Sequence, residues 1–136
     1  MVGEQKTYQL DTNVVIQMLH GDKDVIKHIY EVGVDNCCIC EITIAELYYG
    51  AVKGGRKSNY EDIDKVEELF RIVPVYDSFE TLAKIRLELK NMGKMIDAYD
   101  MMIGASAVNS EAILVTHNTK HYENIPGIVL EDWQTN

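Results

Sequence analysis

Apolar residues recur along this chain with two different spacings, and each change of spacing marks a change of element. Tyr8 to Leu10 reads as a short strand, followed by a helix from about Val14 to His20 that Gly21-Asp22 breaks. A second helix follows near Asp24 to Val32, and Asn36 to Cys40 has the unbroken apolar character of a buried strand. Thr43 opens the next helix, which runs through Glu46, Leu47 and Ala51 to the glycines Gly54-Gly55. Ile63, Val66, Leu69 and Phe70 then return at helical spacing, and Arg71 to Val75 reads as a strand ending near Tyr76. Asp77 or Ser78 is placed to cap a long helix carrying Leu82, Ile85, Leu89 and Met92, which Gly93 stops. The last third gives a helix over about Ala98 to Asn109, a strand over Ala112 to Thr116, a turn, a short helical piece around Tyr122, and a closing strand near Ile128 to Leu130.

Strands that alternate with helices of this length require crossover connections, and crossovers produce parallel pairing. The expected fold is therefore three-layer α/β/α, with a parallel sheet flanked by helices. No internal repeat or Pro-rich linker interrupts the chain, and its 136 residues suit a single domain over 1–136. The stripes on the Ile63 to Phe70 and Leu82 to Met92 helices carry more apolar residues than one core needs. A homodimer and a groove for a small partner protein are expected there.

Composition adds exclusions. An apolar fraction of 46% and a charged fraction of 26% are those of an ordinary globular domain. Apolar runs fall far short of the roughly 20 residues that span a bilayer, and the polar start MVGEQKTYQ has no signal-like apolar region, so no membrane partner and a cytoplasmic location are expected. Cys37, Cys38 and Cys40 sit in one CCIC cluster without the second ligand pair of a zinc site, which favours buried thiols in a strand. The formal charge of −9 opposes a protein that grips nucleic acid by bulk electrostatics. A nucleic-acid function survives that objection if some of the acidity is concentrated where cations bind and the basic residues are grouped elsewhere. Lys53, Arg56 and Lys57 form one such group, although a plain surface loop accounts for the stretch KGGRKSN equally well.

In parallel α/β folds, ligands gather at the carboxyl ends of the strands. There the chain offers Asp11 after the first strand, Thr43 and Glu46 after the second, and Thr116 to Asn118 after the strand at Ala112. The helix start Asp97-Ala98-Tyr99-Asp100 adds two carboxylates. Oxygen donors of this kind suit Mg2+ or Mn2+, and such a site can activate water for attack on a phosphodiester. Each residue also has a structural explanation. Asp11 suits a helix N-cap, Thr43 with Glu46 fits a capping box, Asp97 fits a cap one turn before Asp100, and Asn118 suits a turn.

The order of these segments resembles the PIN-domain family, and among its members the VapC-like toxins. YQLDTNVVI is similar to the family's first strand with its leading acid, Asp11. ICEITIAELYYGA resembles the segment that carries the family's Glu at Glu46, and IDAYDMMIGASA the helix start that carries the third acid at Asp100. LVTHNTKHYENIPGIVLEDW is similar to the VapC tail, with Thr116 and Asn118 at the positions that complete the site. The resemblance implies a magnesium- or manganese-dependent endoribonuclease, often a homodimer, held inactive by a small antitoxin protein that inserts a segment into the site. Asn118 stands where many PIN domains have Asp, which leaves a second metal ion open. Asp97 stands where VapC-like sequences often have no acid, so it is either a further ligand or a cap.

On this reading Asp11, Glu46 and Asp100 hold one metal that activates water against RNA, and Thr12 and Asn118 order the surroundings by hydrogen bonds. Carboxylates this crowded repel one another, so at least one should titrate high without metal. His117 reads as a solvated turn residue beside the site. An RNA-processing nuclease that is not a toxin is the nearest alternative, and a non-catalytic partner-binding α/β module is a more distant one. A receiver module would need acids beside Asp11, where the chain has Tyr8-Gln9-Leu10, despite Lys120 near the right place. A DxDxT phosphatase would need Asp where Asn13 stands.

Overall fold

The computed structural model of the chain describes residues 5–134. Its sheet has five strands, β1 (Tyr8–Leu10), β2 (Cys37–Cys40), β3 (Arg71–Val73), β4 (Ile113–Val115) and β5 (Leu130–Glu131), in the order β3-β2-β1-β4-β5. Every neighbouring pair is parallel, with Tyr8 beside both Cys37 and Ile113. The helices are α1 (Thr12–Leu19), α2 (Lys23–Val32), α3 (Glu41–Gly54), α4 (Lys57–Leu69), α5 (Phe79–Met92), α6 (Ala98–Asn109) and α7 (Thr119–Tyr122). No helix among the described residues is long and apolar enough to cross a membrane.

Alternation along the strands sorts side chains onto two faces. Leu10, Ile39 and Val115 join Val14, Val25, Leu47, Ile63 and Val66 in a core under α1 to α4, closed by Trp133. Cys40 and Leu114 join Ile85, Leu89, Ile103 and Tyr122 in the other, under α5 to α7. These two cores with the sheet between them are the expected three layers. Gln9 is fully buried on the α6 side, where its amide donates to the Ile103 carbonyl at 2.9 Å and accepts from the Ser106 hydroxyl at 3.0 Å. A buried amide satisfied at both ends fixes how α6 lies on β1.

Several boundaries differ from the periodicity reading, each for a local reason. β3 stops at Val73 because Pro74 has no N–H to donate, and the Val75 amide goes to the Glu41 carboxylate at 2.5 Å instead of a strand neighbour. α3 starts at Glu41, two residues before Thr43, because the chain turns from strand into helix directly after Cys40. The basic stretch is no loop: Lys53 lies in α3, Lys57 starts α4, and only Gly55, at φ 70°, and Arg56 separate the helices. Ser78 takes the cap position of α5 without a capping hydrogen bond, and Asp77 sits in the preceding 3-10 turn. β5 covers Leu130–Glu131 instead of Ile128 to Leu130, in register with Leu114 and Val115.

The cores absorb most of the two apolar stripes. Ile63, Val66, Phe70, Ile85 and Leu89 are buried, while Leu69, Leu87 and Met92 stay exposed. The cysteines are free and buried, and burial pushes the Cys37 thiol up to about 12 and the Cys40 thiol to about 11. Thiols held protonated in this way are core residues.

Candidate active site

The strand order reverses between β1 and β4: the chain builds outward from β1 through β2 to β3, then returns to the other side of β1. This switch opens a crevice at the carboxyl ends of β1 and β4, and Asp11 and Thr116 are the first residues beyond those ends. The Asp11 amide donates to the Val115 carbonyl at 2.9 Å, which continues the strand pairing by one step. The Thr116 hydroxyl donates to Asp11 Oδ2 at 2.9 Å. Asp11 is only 5% exposed.

Asp11 is also the N-cap of α1, accepting from the Thr12 amide at 2.8 Å through Oδ1. The capping explanation is therefore correct and does not compete with the site, since capping engages one carboxylate oxygen and Thr116 the other. The capping box at Thr43 is overturned. Thr43 lies inside the first turn of α3, fully buried, and Glu46 does not reach back to its own helix start. Instead the Thr12 hydroxyl donates to Glu46 Oε1 at 2.5 Å and lies 3.0 Å from the Thr43 hydroxyl. Thr12 thereby links the carboxyl end of β1 to α3.

Asp100 enters from the first turn of α6. Its Oδ2 lies 2.6 Å from His121 Nε2 and its Oδ1 accepts from the Tyr122 hydroxyl at 3.1 Å. The same hydroxyl is 3.2 Å from Asp11 Oδ1. One phenol thus stands between two carboxylates, and its single proton serves one of them at a time. Burial, with Asp11 and Asp100 beside it, drives the Tyr122 pKa far above that of an ordinary phenol, so it remains a donor.

Asp11 and Glu46 both titrate above the usual carboxylate range. Burial is the main cause in each, and the hydrogen bonds from Thr116, Thr12 and Tyr122 only partly offset it. Asp100 raises both further by repulsion, and Asp97 adds to the effect on Glu46. The expected raised carboxyl is found, but burial contributes more to it than repulsion between the carboxylates does. The shift has a thermodynamic sign. A carboxyl whose pKa is higher folded than unfolded binds more protons in the folded state between the two values. Its contribution to stability therefore falls as pH rises from the ordinary value near 4 through the raised one. Glu46→Gln removes that penalty, so without divalent ions the variant should gain stability relative to wild type as pH goes from about 4 to 7. Urea unfolding at both pH values measures this, and a relative loss would mean that the folded state favours the charged form.

The remaining predicted residues take different places. Asp97 is exposed and caps α6, accepting from the amides of Tyr99 at 3.0 Å and Asp100 at 3.4 Å. Asn118 is exposed; its backbone amide donates to the Thr116 hydroxyl at 3.0 Å, and its side chain has no hydrogen bond among the described residues. His117 is paired with Asp132 at 3.1 Å. Tyr122 and His121 were missed by sequence reasoning. Tyr122 passes for an ordinary core aromatic, and only the tertiary approach of α7 to α6 gives its hydroxyl a purpose. The available signal was that both residues lie within one helical turn of Asn118.

Among the described residues, no three His, Cys, Asp or Glu side chains are grouped closely enough to hold a metal ion as they stand. Protein donors hold the carboxylates instead: Thr12 holds Glu46, and His121 and Tyr122 hold Asp100. The donor chemistry nevertheless fits a hard cation, since carboxylate oxygens that repel one another in a partly buried rim are relieved by positive charge.

Fold and rim together define a parallel α/β domain centred on carboxylates at its topological switch. The chain belongs to the PIN-domain family, whose pattern matches residues 8–126. The tRNA(fMet)-specific endonuclease VapC of Salmonella typhimurium is 33% identical over 131 residues, covering 93% of this chain and 97% of that protein. Ribonuclease VapC2 of Haemophilus influenzae is 32% identical over 132 residues, with the same 93% and 97% coverage. Among solved structures, VapBC2 from Rickettsia felis bound to a DNA fragment from its promoter superposes with a TM-score of 0.85 at 29% identity, covering 94% of this chain and 99% of that one.

Proposed function

We propose that this chain is a metal-dependent endoribonuclease and the toxin of a VapBC-type toxin-antitoxin pair, acting on RNA in the cytoplasm. The observation that carries the reading is the convergence of Asp11, Glu46 and Asp100 on the switch of the sheet, tied together by Thr12 and Tyr122. The activities for which the Salmonella and Haemophilus relatives are named support it, as does the toxin-antitoxin complex from Rickettsia.

In this reading Asp11, Glu46 and Asp100 hold Mg2+ or Mn2+. When bound, such a cation lowers the pKa of water and neutralises charge developing on the phosphodiester. The chain's own residues set the geometry. Thr116 and the Thr12 amide fix the two oxygens of Asp11, the Thr12 hydroxyl aims Glu46, and Tyr122 spaces Asp11 from Asp100. Asp97 caps α6 at the edge of the rim, and Asn118 borders it on the far side of Thr116. The product is a cut RNA strand, with one water molecule consumed per bond.

Two exposed apolar areas are available to a second copy and a small antitoxin: Phe79, Leu87, Met92 and Met95 on α5 and beyond it, and Tyr30 with Leu69 at a groove between α2 and α4. Expressed alone in a bacterium, the protein should arrest growth and degrade cellular RNA, and the product of the neighbouring reading frame should restore growth when co-expressed. Normal growth with folded protein present would overturn the toxin role and favour an RNA-processing nuclease.

A further inference from the structure

Beside the carboxylate rim lies a second, differently built concavity of about 290 Å3, lined by Asn13, Gln17, His117, Asn118 and Gln134. Asn13 and Gln17 are four residues apart on α1, so their amides stand side by side. Asp132, behind the lining, fixes two of its members: its carboxylate holds the His117 ring at 3.1 Å and accepts from the Gln134 backbone amide at 2.9 Å. The side-chain amides of Asn13, Gln17 and Asn118 make no hydrogen bond among the described residues, and Gln134 Oε1 is buried without a partner. Two hydrogen bonds connect Asn118, in the lining, to the rim, from the Asn118 backbone amide to the Thr116 hydroxyl and from that hydroxyl to Asp11.

We infer that this concavity binds one unpaired nucleobase of the RNA, next to the phosphate that the carboxylate rim cuts. The inference rests on the nuclease reading and deepens it by naming what selects the cleavage site. No Lys or Arg lines the concavity, so a phosphate would find no countercharge there, beside carboxylates and in a chain of formal charge −9. A neutral base needs none. Primary amides carry both donors and acceptors and match base edges, as Asn and Gln do with adenine. An imidazole held by a carboxylate offers a flat face on which an unstacked base can rest, which is how proteins read single-stranded RNA. The volume is at the small end of ligand pockets and suits one base.

The test uses the full chain with Mn2+ and a library of RNA oligonucleotides randomised around a cut site, with the cut positions sequenced. Wild type should prefer one base at a single position adjoining the cut, by about tenfold over the least favoured, the discrimination that one good amide-base pairing provides. Asn13→Ala and Gln17→Leu should each bring that ratio to within about threefold. Both positions are at least partly exposed on α1, and unchanged thermal unfolding confirms that the variants are folded. Glu80→Gln, remote on α5, should keep the wild-type ratio. Cleavage by wild type without base preference, or with a preference that both α1 variants retain, overturns the base pocket and leaves the nuclease reading intact. Absence of metal-dependent cleavage of every library member overturns both.

Discussion

Glu46→Gln should abolish RNA cleavage without cost to the fold. Gln keeps the length of the side chain and an oxygen that accepts from the Thr12 hydroxyl, so the link between β1 and α3 persists. What disappears is the negative charge. Partners standing behind metal ligands typically contribute about 10–100-fold, so loss of a charged ligand should exceed about a hundredfold. Stability should hold or rise at pH 7, because burial and the repulsion from Asp100 and Asp11 penalise the charge that Gln lacks. A protein that becomes more stable as it becomes inactive is the signature of a site that stores repulsion for its ligand. Unaltered cleavage would reduce Glu46 to a structural partner of Thr12. The comparison needs initial rates on one RNA and a urea unfolding curve for each protein.

Asp100→Asn should match that loss, whereas Asp97→Asn should stay within about tenfold of wild type, the lower end of what indirect partners contribute. The two acids are one helical turn apart and do different work. Asp97 receives backbone amides at the start of α6, a role that Asn fills as well as Asp. Asp100 faces the rim, where it meets His121 and Tyr122. Asp97 still repels Glu46 through space, which accounts for the modest loss expected on neutralising it. Equal and complete loss in both variants would make Asp97 a required ligand and revive a second ion, despite Asn118 at the far side of the rim. Initial rates over a range of Mn2+ concentrations distinguish these outcomes, since a lost ligand raises the concentration required.

Most of the architecture was legible because buried parallel strands leave a strong mark. Cys37–Cys40 is apolar at every position since both faces of β2 are covered, and the alternation of such runs with helices leaves few topologies. Asp11 and Glu46 followed from the rule that ligands gather where strands end, whereas Asp100, at the start of a helix that follows another helix, was singled out by its helix opening and by the family resemblance. Hidden from the sequence were the features created by contacts between distant segments. Thr12, read only as a supporting hydroxyl, bonds Glu46 across 34 positions of sequence. Tyr122 bridges Asp11 and Asp100 only because α7 comes to lie beside the end of β1 and the start of α6. The capping box at Thr43 failed for a related reason: a local motif predicts a local partner, and Thr12 competed for Glu46 from another element. Pro74 was visible all along and ends β3 at Val73, two residues before the end of the apolar run at Val75.

Whether these carboxylates form a metal site that cuts RNA is decided by cleavage of purified RNA by the purified chain. With Mg2+ or Mn2+ present, intact RNA should be cut internally. Excess chelator should stop the reaction, and metal added beyond the chelator should restore it, while Glu46→Gln stays inactive throughout. Cleavage that continues undiminished in excess chelator, or that Glu46→Gln performs as well as wild type, would contradict such a metal site.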